Sequence, residues 1–142
     1  MPTSTLDASH PPSRPPHGGG RILYSEDLRE LREVMRVIVE AQGYQIETVN
    51  DGDEALQRLT EVPSAFDLLI TDHHMPRMNG LELVRRLEST PFEGKIMVFS
   101  SELDQAVHRA YHELGVAVIL PKPIRPAVLR KALADLLPAS AP

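Results

Sequence analysis

The sequence has 142 residues, of which 42% are hydrophobic and 25% charged, a composition that suits one globular domain and leaves no room for a second. Its formal net charge of −5 argues against a sequence-independent grip on nucleic acid, which needs clustered Lys and Arg side chains facing phosphates. The absence of cysteine excludes disulfide frameworks and thiolate metal sites.

The first twenty residues differ from the rest in composition. Residues 1–20 contain five of the 13 prolines and three of the eight glycines, and besides Met1 their one large aliphatic residue is Leu6. Such a segment cannot bury enough apolar surface to fold, so it is predicted to be a disordered tail. It has no apolar run of the signal-peptide kind, and the chain nowhere shows the roughly 18 apolar residues of a membrane helix. We therefore expect a soluble, cytoplasmic protein that does not enter a membrane.

Residues 21–137 are predicted to form the folded domain, and 138–142 a short second tail. Five short apolar runs alternate here with segments of helical periodicity, which is typical of strand and helix units repeated around a parallel sheet. The predicted strands are RILYS at 21–25, YQIETV at 44–49, DLLIT at 67–71, KIMVF at 95–99 and VAVIL at 116–120. The pattern predicts an α/β fold with a doubly wound, five-stranded parallel sheet.

The segments between the strands carry apolar residues at spacings of three and four, so each is predicted to be a helix with one apolar stripe. The stripes include Leu28 in the first helix, Tyr111 in the fourth and Val128 in the fifth. Gly43 and Gly115 follow the first and fourth stripes, where a helix commonly ends on a left-handed glycine. The stripe residues are interpreted as core, without a functional role.

Polar residues stand where the predicted strands end. Glu26 and Asp27 come after the first strand, Asp72 after the third, Ser100 after the fourth and Lys122 after the fifth. In an open parallel sheet, ligands bind in the crevice beyond the carboxyl ends of the strands. If the strand order is 2-1-3-4-5, the acidic pair and Asp72 lie side by side. Each residue alone has an ordinary structural explanation, but their coincidence at one edge of the sheet favours a shared site.

Three carboxylates at this edge repel one another, by roughly 1 kcal/mol per pair in water at about 4 Å and by about 4 kcal/mol at an effective dielectric constant of about 20. The site therefore requires a cation, and a few carboxylates that leave water ligands in place suit Mg²⁺ better than Ca²⁺. Lys122 adds a positive charge and Ser100 a hydroxyl donor, and together they can hold a phosphoryl group. These are the parts that phosphoryl transfer to an aspartate requires.

Four segments resemble the receiver domains of two-component response regulators, and the resemblance covers the chain from about Arg21 to Leu137. ILYSED resembles the family's first strand and acidic pair, and DLLITDHHMPRMNG resembles its third strand, phosphoacceptor and Met-Pro-x-Met-x-Gly loop. IMVFSS resembles the strand that ends on Ser or Thr, and LPKP the segment with the Lys-Pro pair. The resemblance implies a flavodoxin-like (βα)5 fold with strand order 2-1-3-4-5.

The resemblance also implies a metal site. Mg²⁺ is implied to bind the carboxylates of Asp27 and Asp72 and the main-chain carbonyl of His74 directly. Glu26 is implied to act largely through water.

A second set of roles concerns the phosphoryl group. The resemblance implies that Asp72 accepts it from the phosphohistidine of a sensor histidine kinase or a phosphotransfer protein. Ser100 is implied to donate a hydrogen bond to the group and Lys122 to pair with it, while the peptide bond between Lys122 and Pro123 is implied to be cis.

Two features depart from the family pattern. Ile119 stands where receivers usually carry a Tyr or Phe switch residue. The surface of the fourth helix, fifth strand and fifth helix is therefore expected to change less on phosphorylation, with any switching carried by the loops after Asp72 and Ser100. Partner binding is then expected to depend on phosphate by about 1 to 2 kcal/mol. The resemblance implies that two positions flank the phosphoryl group and tune its lifetime, and here they hold His74 and Glu102, a departure that leaves the lifetime open.

The histidines permit a different interpretation, as zinc ligands. His73 and His74 are adjacent, and His108 and His112 lie one helical turn apart. The metalloprotease pattern would need a Glu where Arg109 stands, and no third ligand has suitable spacing. The second pair is therefore predicted to lie at the surface or boundary of the fourth helix.

The main hypothesis is a signalling switch, not an enzyme acting on another substrate, that catalyses its own phosphorylation and dephosphorylation and then alters contact with a downstream protein. An aspartate-based phosphohydrolase would need a second acid where His74 stands. An unphosphorylated adaptor would be expected to have lost part of the site. A chemotaxis-type, single-domain receiver and a receiver module of a longer hybrid histidine kinase fit the sequence equally well.

Overall fold

The computed structural model describes residues 20–101 and 104–138. The strands in these residues are β1 (Arg21–Ser25), β2 (Gln45–Val49), β3 (Leu68–Asp72), β4 (Lys95–Ser100) and β5 (Val118–Pro121). The helices are α1 (Arg29–Ala41), α2 (Gly52–Glu61), α3 (Gly80–Leu87), α4 (Gln105–Glu113) and α5 (Pro126–Leu136), and one 3₁₀ turn, Pro63–Ala65, precedes β3.

The five strands form one parallel sheet in the order β2-β1-β3-β4-β5. This arrangement confirms the predicted fold class and strand order. Strand β1 has the predicted bounds, whereas the other four strands differ from prediction by one or two residues at an end. Two of these differences matter for the site. Strands β3 and β4 each continue one residue further than predicted, so Asp72 and Ser100 are the last residues of buried strands.

The core is divided between the two faces of the sheet because successive strand residues point to opposite sides. One cluster joins the sheet to α1 and α5 and includes Tyr24 and Leu129. A second joins it to α2 and α3 and includes Leu23 and Leu83. A smaller third cluster joins Val98 of β4 to Val84 of α3 and Tyr111 of α4. The helices are therefore held against the sheet by apolar contacts on both faces.

The prediction that the apolar stripes of the helices face the core is confirmed in outline and wrong for two residues. Leu28 is 51% exposed and Val128 is 41% exposed, although both were predicted to lie in the core. Leu28 precedes the first turn of α1, and Val128 is turned about 100° away from its fully buried neighbour Leu129. Gly43 and Gly115 do follow α1 and α4 with positive φ angles of 89° and 85°, as predicted.

Gly20, the last residue of the predicted tail, is buried and joined to the sheet. Its carbonyl accepts a hydrogen bond from the N–H of Gln45 (3.0 Å), and a methyl group at Gly20 would lie 2.7 Å from Leu137 Cδ2. Among the described residues, none of the helices has the length and apolar character needed to cross a membrane.

Candidate functional site

The carboxyl ends of four strands bring the predicted polar residues to one edge of the sheet. Strand β1 leads directly into Glu26 and Asp27, β3 ends on Asp72, β4 ends on Ser100, and Lys122 follows β5. The main-chain N–H of Lys122 donates to the carbonyl of Ser100 (3.0 Å), which continues the ladder between the last two strands. Residues separated by almost a hundred positions thus share one crevice because the sheet is parallel.

Three carboxylates form the acidic part of this crevice. Glu26, Asp27 and Asp72 each offer an oxygen atom, and these three atoms lie within 4.8 Å of one another. Glu26 and Asp72 are buried, with 0% and 2% exposure, whereas Asp27 is exposed at the rim. Such a cluster is repulsive without a cation, and its oxygen-only composition suits a hard divalent ion.

Lys122 faces two of the three carboxylates. Its Nζ lies 3.0 Å from Asp72 Oδ2 and 3.6 Å from Glu26 Oε1. One ammonium group cannot balance three carboxylates, so a net negative charge remains for a metal ion to neutralise. The peptide bond between Lys122 and Pro123 is cis, as the family resemblance implied.

Glu26 is held by donors on several sides. Tyr24 Oη donates to Glu26 Oε1 (3.2 Å), and the N–H of Leu28 donates to Oε2 (3.1 Å). Burial, and next the charge of Asp72, raise the pKa of Glu26, while the Leu28 hydrogen bond and the charge of Lys122 oppose this shift. Burial is also the main cause that raises the pKa of Tyr24, whose hydroxyl therefore stays a donor. Sequence reasoning missed Tyr24, which it placed only within a strand.

The side chains of Asp72 and Ser100 have fewer hydrogen-bond partners than that of Glu26 in the described residues. Asp72 Oδ1 and Ser100 Oγ are buried and have no hydrogen-bond partner within the part of the chain that the structure describes. Buried polar atoms normally have a partner, and an exception calls for an ion, a water molecule or a ligand group. A carboxylate oxygen beside an acidic cluster fits a cation, and a hydroxyl beside Lys122 fits an anionic oxygen. The residues present therefore fit both Mg²⁺ and a phosphoryl group.

The remaining predicted site residues lie around this crevice. His74 is exposed, and its ring packs edge-on against His73 with the ring centroids 4.8 Å apart. Ile119 is partly buried and packs against the third core cluster, beside α4. Glu102 lies outside the described residues.

The zinc interpretation gains no support. His108 and His112 are exposed on α4, as predicted. In residues 20–101 and 104–138, the acidic trio is the one group of three potential ligands close enough to share a metal ion.

The loop after Asp72 is anchored by Met75 and Arg77. Met75 is buried and accepts a hydrogen bond on sulfur from Ser25 Oγ (3.2 Å). Arg77 has a left-handed backbone with a φ of 67°, which costs a residue with a Cβ roughly 1 to 2 kcal/mol. Its Nη2 lies 2.9 Å from Asp51 Oδ2, at the start of α2. This ion pair fixes the loop against the neighbouring helix.

His73 and Tyr111 form a buried polar pair behind Asp72. His73 Nδ1 and Tyr111 Oη are 2.5 Å apart, and the two residues are 8% and 0% exposed. Burial is the first cause that lowers the pKa of His73, and burial followed by the charge of Asp72 raises the pKa of Tyr111. A neutral imidazole and a protonated phenol therefore share the hydrogen bond. Sequence reasoning assigned Tyr111 to the core and gave the pair no role.

The family model for the response regulator receiver domain matches residues 22–134. Among curated relatives, the chain is 31% identical over 120 residues to the sensory/regulatory protein RpfC of Xanthomonas campestris, across 82% of this chain and 16% of RpfC. It is 37% identical over 103 residues to the response regulator MprA of Mycobacterium leprae, across 72% of this chain and 44% of MprA. The chain thus spans less than half the length of either relative.

Solved structures show the same similarity. The chemotaxis protein CheY4 of Vibrio cholerae superimposes with a TM-score of 0.74 at 29% sequence identity, and the match covers 84% of this chain and 99% of that one.

Proposed function

The chain belongs to the response regulator receiver domain family, and from this premise we propose that Asp72 is the phosphoacceptor of a two-component switch. The phosphoryl donor in this proposal is the phosphohistidine of a sensor histidine kinase or a phosphotransfer protein. The observation that carries the proposal is the state of the Asp72 carboxylate. It is 2% exposed, its Oδ2 lies 3.0 Å from Lys122 Nζ, and its Oδ1 has no partner in the described residues.

In the proposed reaction, a carboxylate oxygen of Asp72 forms a bond to phosphorus while the bond between phosphorus and the donor imidazole nitrogen breaks. The electron pair of the broken bond stays on that nitrogen, which takes up a proton from solvent. The product is an acyl phosphate on Asp72. The protein contributes mainly by placing charges and donors around the phosphoryl oxygens, because this chemistry depends on positioning and charge neutralisation.

Mg²⁺ would be held by the carboxylates of Asp27 and Asp72 and by the main-chain carbonyl of His74, with Glu26 acting through water. When bound, the ion neutralises the negative charge that the acidic cluster and the phosphoryl group bring together. The unpartnered Oδ1 of Asp72 and the oxygen cluster within 4.8 Å support this assignment.

Two side chains would hold the phosphoryl group from the protein side. Ser100 Oγ, which is buried and without a partner in residues 20–101 and 104–138, would donate a hydrogen bond to a phosphoryl oxygen. Lys122 would exchange part of its contact with Asp72 for a phosphoryl oxygen, since its Nζ already lies 3.0 Å from Asp72 Oδ2.

The rival functions fit this arrangement less well. An aspartate-based phosphohydrolase would need an acid two residues beyond the nucleophile, where the chain has the exposed His74. An unphosphorylated adaptor has no use for a buried Asp72 with a free oxygen atom beside Lys122. We therefore propose that the protein is a switch that catalyses its own phosphorylation and dephosphorylation and acts on a downstream protein in the cytoplasm.

The test is covalent modification with a small phosphodonor such as acetyl phosphate and Mg²⁺. We expect one phosphoryl group per chain, detected by intact-protein mass spectrometry and lost on treatment with hydroxylamine, as an acyl phosphate is. Asp72→Asn should remain unmodified, while Asp67→Asn, at the opposite end of β3, should be modified like the parent. Phosphate retained on Asp72→Asn, or hydroxylamine-stable phosphate on Ser100, would overturn the proposal.

A further inference from the structure

The buried pair of His73 and Tyr111 joins α4 to the residue that follows Asp72. Tyr111 is the one buried residue of α4, and its ring meets the His73 ring edge-on with the centroids 5.5 Å apart. The hydrogen bond between Tyr111 Oη and His73 Nδ1 spans 38 positions of the chain. Helix α4 thus reaches the neighbour of the proposed phosphoacceptor through the side chain of Tyr111.

The surroundings of Tyr111 are apolar except at its hydroxyl. Val84 and Val98 are the other buried members of its cluster, and an aliphatic side chain would fill the same space without needing a polar partner. A buried tyrosine hydroxyl does need one. Space for it exists because Gly80 opens α3, where a Cβ atom would lie 2.7 Å from Tyr111 Oη. The Tyr111 hydroxyl therefore lies in a space that is bounded by both α3 and His73.

His73 is fixed by its main chain at the same point. Its N–H donates to the carbonyl of Phe99 (2.9 Å) and its carbonyl accepts from the N–H of Gly80 (2.9 Å). Strand β3, strand β4 and helix α3 are thereby bonded to one residue, and Tyr111 adds α4 to them. Any shift of the main chain beside Asp72 displaces the His73 ring and with it Nδ1, the partner of the Tyr111 hydroxyl.

We propose that Tyr111 is a positioning residue of the switch, whose hydrogen bond to His73 couples the state of Asp72 to the position of α4. The proposal rests on the proposed phosphoacceptor function. It gives α4 a connection to the site that does not pass through Ile119, which has no polar group and packs beside the same cluster. This changes the expectation drawn from Ile119 for one element: α4 should respond to modification of Asp72, while β5 and α5 should respond less.

The experiment uses backbone amide NMR of the full chain with Mg²⁺, before and after addition of beryllofluoride as a stand-in for the phosphoryl group. In the parent protein, chemical shifts should change beside Asp72 and Ser100 and along residues 105–113. In Tyr111→Phe, the changes beside Asp72 should remain, whereas those in residues 105–113 should fall to less than about half of their size. Tyr44→Phe removes the same hydroxyl from a different core cluster and should behave like the parent.

Two substitutions of His73 separate coupling from packing. His73→Asn keeps a side chain that can hydrogen-bond to the Tyr111 hydroxyl and should preserve the response of α4, whereas His73→Leu fills the space without a polar group and should lose it. They also decide the matter if Tyr111→Phe does not fold.

Each outcome has a distinct meaning. An unchanged α4 response in both Tyr111→Phe and His73→Leu, with normal changes beside Asp72, would overturn the coupling alone. The absence of any change beside Asp72 in the parent would overturn the phosphoacceptor function and the coupling with it.

Discussion

The two sides of the acidic crevice differ in how completely their polar atoms are bonded. On the β1 side, both carboxylate oxygens of Glu26 accept hydrogen bonds, from Tyr24 Oη and the N–H of Leu28. On the β3 and β4 side, Asp72 Oδ1 and Ser100 Oγ are buried without a partner in the described parts of the chain. Complete bonding fixes a group in place, whereas an open bonding position is ready for a ligand. The first side is therefore the framework of the site, and the second fits the reaction centre of the proposed phosphoryl transfer.

Removal of the positive charge of Lys122, which faces carboxylates on both sides of the crevice, should have the largest effect on the rate of phosphorylation. Lys122 Nζ lies near Asp72 and Glu26 together. Lys122→Met should lower the initial rate of phosphorylation by acetyl phosphate about 100-fold or more, as expected for loss of one preorganised charged group. Lys131→Met, whose side chain is 78% exposed, should leave the rate unchanged. A parental rate in Lys122→Met would show that the shared charge is dispensable.

Stabilisation of the fold by Mg²⁺ should depend on Asp27, the exposed carboxylate at the rim of the crevice. Mg²⁺ at about 100 times its Kd should raise the free energy of unfolding of the parent by about 2.7 kcal/mol. Asp27→Asn should abolish this increase, while Glu33→Gln, an exposed acidic position of α1, should retain it. Urea unfolding with and without Mg²⁺ measures the difference. If Asp27→Asn responds to Mg²⁺ as the parent does, the ion binds elsewhere.

Ser100→Ala tests the reaction side. The rate of phosphorylation should fall roughly 10-fold, because a donor to the phosphoryl group is lost. The free energy of unfolding should change by less than about 0.5 kcal/mol, because the hydroxyl has no partner to lose in the described structure. Ser101→Ala, at the exposed neighbouring position, should change neither quantity. A large loss of stability in Ser100→Ala would place Ser100 in the framework instead.

Tyr24→Phe tests the framework side and should show the opposite pattern. Loss of a donor to buried Glu26 should lower the free energy of unfolding by about 1 to 2 kcal/mol. The rate of phosphorylation should change by less than about threefold, since the Tyr24 hydroxyl donates to Glu26 and not to the proposed phosphoacceptor. Chemical denaturation and the phosphodonor assay measure the two quantities, with Tyr44→Phe as the control. A rate loss without a stability loss would contradict the division of the crevice.

The smallest effect is expected in the pH dependence of stability. The pKa of Glu26 is raised above 4.5 by burial and then by the charge of Asp72, so the folded state binds this proton more tightly than the unfolded state. This tighter proton binding stabilises the folded state in full below pH 4.5. The stabilisation is lost as the pH rises through the raised pKa of Glu26, with a slope of at most about 1.4 kcal/mol per pH unit. Unfolding in EDTA should show this loss in the parent relative to Glu26→Gln. Parallel curves for the two proteins would show that Glu26 is not perturbed.

The residues that sequence reasoning identified are those that break a local pattern. Asp72, Ser100 and Lys122 interrupt or follow apolar runs, and a parallel sheet brings such strand ends together whatever lies between them. Periodicity locates the buried face of a helix less sharply, which is why Leu28 and Val128 were predicted to be core. The pattern of alternation and helical stripes was sufficient for the fold.

The two tyrosines were missed because each fits the apolar pattern of its own element. Tyr24 carried one usable signal, since a residue two positions before Glu26 projects from the same side of an extended strand. Tyr111 carried none, because its partner His73 is 38 positions away and only the packing of α4 brings the two together. Hydrogen bonds between distant elements depend on tertiary geometry that no local period encodes.

Asp51 binds two different parts of the molecule with its two oxygens. Oδ1 accepts from the N–H of Glu54 and caps α2, while Oδ2 holds the left-handed Arg77. Opening the first turn of α2 would therefore release the loop after Asp72, and opening the loop would leave the helix cap less firmly held. The amides at both places should exchange with deuterium as one cooperative unit, although they are joined by a single carboxylate and belong to segments more than twenty residues apart.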